Sequence, residues 1–475
     1  MPFLAPSTDA HRSKVQLSAA YACYLGGIAL SVTYWPLYFE QSGLSGAQIG
    51  TIFSVATALS IVMQPVVSAW SDAMGRPVRM LRAAFLWSMA VPSALLVARG
   101  FWGFALTWWI TGLMSIAIVP LLDASIVRTV GALRFGEVRL WGSVGYGLAV
   151  LLYGALMRHQ SPFVTGYGAV LVWMLLLGLG ALVIWSLPSP SRAGEMGGGT
   201  GPKTPRSRRA GTADNAQVET PAAQRSQDAL NDGTNTRAWM RGPLLILFLI
   251  NALHWWGITS FNIYIGLHVQ SQGMDTGVTG MTAAAAIVGE VLAFAVARKI
   301  LPAHAAHRWL PVVFLTGAAR WWITAFAPTP SLLIAVQLIH FLGFGVWVAA
   351  LIHMIGRFVR DDQRTAAQGY MGGLTYGVGG MLGNLVSGLM FDIGGGRLVF
   401  MVAAGADILA CILLLLTWRR WRLPSIEDPD RTMRRKCRER ESNPQGASLR
   451  EILSLLRLPV SPSRRVMGLI DERSE

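Results

Sequence analysis

Glu290, Arg320 and His340 stand inside long apolar runs of this sequence, where a charge has little water to hold it. A charged side chain at the middle of a bilayer costs about 2.5–3.5 kcal/mol on insertion scales, so such groups face a cavity and find partners. Glu290 lies well along a run of apolar and small residues, and a carboxyl there is suited to binding and releasing a proton. The alternative reading is a hydrogen-bond anchor between helices. Arg320 and His340 extend the group, because a nearby guanidinium stabilises the carboxylate that remains once the proton has left. Asp407 also sits in an apolar run and demands a partner that the sequence does not name, and His353 receives no role. Asp123 and Arg139, near the polar ends of their runs, read on position alone as an interfacial ion pair.

Helical spacing gathers further polar and aromatic residues onto single faces of otherwise apolar runs. Asn251, His254, Trp255, Ile258 and Asn262 form one stripe, Gln337, His340, Phe344 and Trp347 a second, and Tyr24, Ser31, Trp35 and Tyr38 a third. Such stripes suit a cavity wall in which ring faces stack on a solute and amides or hydroxyls orient it. Packing with interfacial aromatics is the competing explanation, strongest for Tyr38 and Trp347 near helix ends. Tyr24, Trp35, Asn251, His254, Trp255, Asn262 and Gln337 are the candidate substrate-binding residues on these faces.

Other chemistries lack their residues. A phosphate-cradling loop of the form GxxxxGK[ST] needs a lysine after a glycine, and none of Lys14, Lys203, Lys299 and Lys436 follows one. Neither HExxH nor GxSxG occurs. Cys23 and Cys411 lie in apolar runs and Cys437 in a polar segment, which provides neither a disulfide framework nor a cysteine metal site. No metal, no cofactor and no enzymatic role are expected.

The elements that must carry the candidate residues follow from composition. Of 475 residues 53% are hydrophobic and 14% charged, well under the quarter or so of charged residues in soluble domains. The net charge of +15 is spread between apolar runs and over two polar segments, a pattern that suits membrane orientation and not nucleic-acid binding. A spanning helix needs roughly 20 mostly apolar residues. Twelve segments qualify, near 15–39, 48–70, 81–98, 102–127, 139–157 and 163–187, then 243–268, 277–297, 309–327, 331–356, 365–391 and 397–418. The first is too long for a signal-peptide core and lacks a small-residue cleavage site, so it is expected to be a retained helix.

The expected organisation is a cytoplasmic N-terminus at 1–14, a six-helix bundle at 15–187, a disordered linker at 188–240, a second bundle at 241–418 and a basic tail at 419–475. The linker composition, rich in Gly, Ser, Thr, Pro, Ala and Arg, buries too little apolar surface to order itself. Arg76, Arg79, Arg82, Arg128, Arg134, Arg139, Arg298, Lys299, Arg308, Arg357, Arg360 and Arg364 fall in alternate loops, against Arg99, Arg158 and Arg397 in the others. By the positive-inside rule this puts both termini and the linker in the cytoplasm.

The loop after the second segment reads WSDAMGRPVR, with Asp72, Gly75, Arg76 and Arg79 forming a carboxylate, a Gly-Arg pair and a further base. A plain positive-inside loop explains the arginines but not Asp72 or Gly75. The loop resembles the signature between helices 2 and 3 of the major facilitator superfamily, with Ala73 where that family usually has Arg. YWPLYF at 34–39, PLLDA at 120–124, VRLWGSVGYGLAV at 138–150, GEVLAF at 289–294, ARW at 319–321, QLIHFLGFG at 337–345 and the glycine-rich 366–388 resemble the subgroup containing 3-phenylpropionate permeases, related to lactose permease and the nucleoside:proton symporters.

That resemblance implies an all-α inner-membrane protein of twelve helices in two six-helix bundles, monomeric, with a small-molecule substrate, protons and lipid as its partners. It implies proton-coupled uptake by alternating access, with an aromatic acid as first-choice substrate and nucleosides or sugars next. Asp72, Gly75, Arg76 and Arg79 become a gating loop, and Asp123 and Arg139 resemble a carboxylate and Arg pair that contacts substrate in lactose permease and so join the candidate substrate-binding residues. Glu290, Arg320 and His340 correspond to a lactose permease coupling site, from which the chain departs at Phe344, where a second carboxylate would stand. Helix 5 lacks the Gly-Pro pair of drug:proton antiporters, which favours uptake. An exporter of the same fold and a transporter-like receptor without flux remain as alternatives.

Overall fold

The computed structural model describes residues 8–131, 134–158, 167–187, 243–300, 306–359 and 363–418. The expected linker and C-terminal tail lie outside the described residues, as does the side chain of Asp72. Among the described residues the chain folds into twelve helical rods. α1 is Thr8–Thr33, prolonged by Trp35–Gln41. α2 is Gly46–Met74, and α3 is Pro77–Ala90 with the 3₁₀ turns of Val91–Leu96. α4 comprises Gly100–Ser115 and Ile118–Val130, α5 is Phe135–Met157 and α6 is Gly168–Trp185.

In the second half α7 is Pro243–Ser271, α8 is Gly277–Ile300 and α9 is Ala306–Phe326. α10 runs from Pro330–Val336 to Trp347–Phe358, and α11 from Arg364–Met371 to residue 393. α12 covers 396–416, separated from α11 by Gly394 and by Gly395, whose φ of 63° is left-handed and suits only glycine without strain. Each rod coincides with one of the twelve segments expected from hydropathy, to within a few residues at most ends.

Helices form here because lipid offers no partner to a backbone N–H or C=O, so each segment must satisfy its own. Eight described stretches are each helical, long and apolar enough to cross a membrane, and one of them, Ala366–Leu416, contains both α11 and α12. The outward faces are apolar, with Leu152, Leu182, Trp185, Ile393 and Leu416 exposed, while Trp35, Trp173, Trp321 and Trp347 fill the interior. Prolines Pro77 and Pro330 occupy first turns, where the missing N–H costs nothing.

α1 packs on α5 and α6 within the first set of six, and α7 packs on the α11–α12 stretch within the second. The sets meet where α2 runs along α11 and α5 along α8. At the second seam the backbones touch: a Cβ added to Gly154 would lie 2.9 Å from the Cα of Gly280. Bonds between the sets gather at the end bearing the α1–α2, α7–α8 and α11–α12 turns. Asp392 accepts from the backbone N–H groups of Gly46 at 2.6 Å and Ala47 at 2.9 Å, capping α2 from another helix. Arg158 and Asp275 pair at 3.4 Å, and Thr276 donates to the Met157 carbonyl at 3.2 Å. The opposite end carries Arg76, Arg79, Arg128, Arg139 and Arg364, all exposed.

Candidate functional site

A cavity of about 430 Å³ lies at mid-depth between α1, α2, α4, α6, α7 and α11. Tyr24, Phe53, Trp108, Trp109 and Trp173 supply ring faces, and Thr57, Ser60, Thr111, Ser115, Thr259, Asn262 and Asn384 supply hydroxyls and amides. No Asp, Glu, Lys, Arg or His is among its lining residues. Most of the polar groups are anchored. Tyr24 donates to the Ser115 carbonyl at 3.0 Å, Trp109 to the Ile52 carbonyl at 2.9 Å and Trp173 to the Ser88 carbonyl at 2.8 Å. Thr57, Ser60, Thr111 and Thr259 donate to helix carbonyls and keep lone pairs free to accept. Two buried atoms stand without a partner: the Nε1 donor of Trp108 and the Oδ1 acceptor of Asn384.

Of the residues proposed from sequence as substrate-binding, Tyr24 and Asn262 line this cavity. Trp35 stands one layer behind, its ring centroid 4.9 Å from that of Trp108 and 5.1 Å from that of Trp173, so it supports the wall. Asp123 accepts from the Tyr21 hydroxyl at 3.1 Å, and the exposed Arg139 lies over the Phe135 ring at 5.7 Å. Asn251, His254, Trp255 and Gln337 belong instead to the interior of the second set. Asn251 accepts from the Trp347 indole at 2.6 Å, and Trp255 stacks on Trp347 at 5.8 Å and tilts against Tyr376 at 4.6 Å.

The expected coupling group divides in two. Arg320, 1% exposed, donates from Nε to Gln337 at 2.8 Å and from Nη1 to His340 Nδ1 at 2.7 Å. Because guanidinium only donates, His340 accepts there and carries its proton on Nε2. Gln337 completes its bonds with Thr324 and the Leu333 carbonyl. Arg320 lies 4.2 Å over the Trp321 ring and 4.8 Å over Phe261, with Nη2 unpartnered. Glu290 stands apart from this pair, on the α5–α8 seam, where Ser143 donates to it at a long 3.4 Å.

Asp407 has the partners its sequence position demanded. Its Oδ1 shares a hydrogen bond of 2.6 Å with His254 Nδ1, and its Oδ2 accepts from the Trp321 indole at 2.9 Å. His254 Nε2 donates to the Gly343 carbonyl at 2.7 Å. Gly343 belongs to a π-helical stretch of α10, Phe341–Val346, whose wide turn disturbs the regular carbonyl ladder. In the loop after α2, Gly75 adopts φ 59° and Arg76 and Arg79 are exposed. Among the described residues no cluster of three or more His, Cys, Asp or Glu could hold a metal.

Two six-helix sets closing on an aromatic, largely apolar cavity dotted with hydroxyls and amides, within an apolar exterior, define a membrane transporter of small solutes. The chain belongs to the MFS_1 like family of major facilitator transporters, whose model matches residues 14–402. A maltose permease of Geobacillus stearothermophilus is 23% identical over 381 residues, covering 79% of this chain and 87% of that protein. A probable 3-phenylpropionic acid transporter of Escherichia coli (strain K12) is 23% identical over 342 residues, covering 68% and 77% respectively. The fold matches the crystal structure of the nucleoside transporter NupG with a TM-score of 0.68 at 15% identity, over 88% of this chain and 100% of that one. These relatives are transporters and not enzymes, as expected of this chain.

Proposed function

We propose that this protein is a proton-coupled uptake carrier of the inner membrane, working by alternating access on an uncharged ring-bearing solute with several hydroxyls, a sugar or a nucleoside. The observation that carries the substrate class is the cavity wall. Its volume suits one small ligand, its indole faces suit a sugar's apolar face or a nucleobase, and the hydroxyls of Thr57, Ser60 and Thr111 with the amide of Asn262 suit a solute's hydroxyls, which both accept and donate. A carboxylated aromatic is the second reading, favoured by the likeness to the 3-phenylpropionic acid transporter. It lacks support from the wall, because a buried carboxylate needs a cationic partner.

With the arginine-rich end placed in the cytoplasm, the bonded end faces outward and the described state is closed to the outside. Rocking of the two sets would expose the cavity to each side in turn. Glu290 is the proposed proton carrier: its seam between α5 and α8 is one whose environment changes when the sets move.

Right-side-out vesicles with an inward proton gradient test this reading, offered maltose, uridine and 3-phenylpropionate in separate runs. Accumulation of either neutral solute is expected. Accumulation of the acid alone overturns the substrate class, and exclusion of all solutes on imposing the gradient supports export. Glu290→Gln is expected to lose uphill accumulation at least tenfold while still exchanging labelled for unlabelled solute. Normal uphill transport in that variant sinks the assignment of Glu290.

A further inference from the structure

We propose that His254 and Asp407 together hold one transported proton, and that its departure hands the Asp407 carboxylate to Arg320. The proposal deepens the coupling reading above and rests on it.

Hydrogen-bond accounting carries the argument. His254 and Asp407 are 1% and 0% exposed, so neither can turn to water. The Gly343 carbonyl can only accept, so His254 Nε2 must bear a hydrogen. The Trp321 indole can only donate, so Asp407 Oδ2 must accept. One contact then remains, between His254 Nδ1 and Asp407 Oδ1 at 2.6 Å, and two bare lone pairs cannot approach so closely. A proton lies between them, whether as imidazolium facing carboxylate or as imidazole facing carboxylic acid. In either form the pair is neutral and every atom is satisfied.

Removal of that proton leaves a lone pair on Nδ1 facing a carboxylate, and a net negative charge sealed from solvent. A receiver for the charge is already in place. Arg320 is buried, lies over the same Trp321 ring that donates to Asp407, and has Nη2 unpartnered. The two groups meet on one indole, Arg320 at its face and Asp407 at its Nε1. The proton and the guanidinium thus compete for one carboxylate: loaded, Asp407 is held by His254 of α7 and Trp321 of α9; empty, it leaves His254 for Arg320 of α9. The step balances, since the proton goes to water when the cluster opens, His254 keeps its Nε2 hydrogen, and no other bond forms or breaks.

The remaining ionisable groups around the pair are His340 from α10, which accepts from Arg320, and Cys411 one turn along α12. Gly317 leaves room on α9, since a side chain there would collide with the Asp407 carboxylate. Four helices of the second set, α7, α9, α10 and α12, therefore read the occupancy of one proton.

Asp407→Asn is the informative variant. Its amide can donate to His254 Nδ1 and accept from Trp321, so it copies the loaded pair and cannot unload. The variant is expected to lose uphill accumulation at least tenfold. Its melting temperature in detergent should also lack a pH-dependent fall that the wild type shows as rising pH empties the pair. His353→Gln, at an exposed position outside the cluster, is the control and should follow the wild type in both readings. Uphill accumulation by Asp407→Asn, or identical melting profiles for it and the wild type, overturns the proposal.

Two measurements on the wild type keep the test decisive if the variant fails to fold. Nitrogen NMR of His254 should show Nδ1 either protonated or accepting from an acid, and a bare Nδ1 beside an ionised Asp407 refutes the pair. Substrate-driven alkalinisation of the medium reads proton coupling itself. Its absence overturns the coupling reading and this proposal with it, whereas alkalinisation with a bare Nδ1 overturns the pair alone.

Discussion

Trp108 and Asn384 line the cavity, and each carries a buried polar atom without a partner in this state. Trp108→Phe keeps a ring face and removes the donor, so a titration of solute binding should show affinity reduced about fivefold, matching the ~1 kcal/mol of one hydrogen bond. An unchanged affinity would mean that the solute does not reach Nε1. The sequence exposed some of this site and hid the rest for a physical reason. Tyr24 and Asn262 were legible because each belongs to a polar stripe on an apolar helix. Trp108, Trp109 and Asn384 were less so: Trp108 shares a face of α4 with Thr111 and Ser115, but in a helix so apolar overall that face stands out weakly, while Asn384 sits in a run of glycines. Asp407 announced itself by the cost of a charge in lipid, but its partner depends on α7 packing against α12, a contact more than 150 positions apart in the chain.

At the scale of elements, the seams between the two sets decide how the molecule can move. Asp392 holds the first turn of α2 from the far end of α11, so two helices of different sets share one cap. Asp392→Ala should cost about 0.5–2 kcal/mol, the usual worth of a cap, and a cysteine at Gly43 or Leu44 with a membrane-impermeant maleimide would report faster labelling as that end loosens. By contrast Arg158 and Asp275 are half exposed, and the loss of such a pair is worth at most about 1 kcal/mol. The helices themselves were legible almost completely, because a spanning segment is a matter of length and apolarity. Their interruptions were less so: Pro92 marks the 3₁₀ turns after α3, whereas hydropathy gives no sign of the π-helical stretches of α10 and α11.

For the whole molecule, orientation rests on the distribution of arginine. The exposed arginines of the α2–α3, α4–α5 and α10–α11 loops share one end. Fluorescent reporters fused at either terminus should therefore light in the cytoplasm, and alkaline phosphatase fused at the α1–α2 turn should be active outside. The reverse pattern would invert the carrier and turn the closed end toward the cytoplasm. Twelve rods and two sets follow from hydropathy and family. The cavity between them does not, because it is a property of how the sets lean on one another.

The π-helical stretches Phe341–Val346 and Gly372–Val378 lie on the tenth and eleventh rods, whose aromatic residues Trp347 and Tyr376 both meet Trp255. A π turn stores one residue more than an α turn, so each rod carries a slack link of chain. Taking up that slack would rotate everything beyond it by about 100°, the angle of one residue, while both ends of the rod stayed in place. A helix of this kind can swap which side chains it offers to a neighbour by screwing, without swinging.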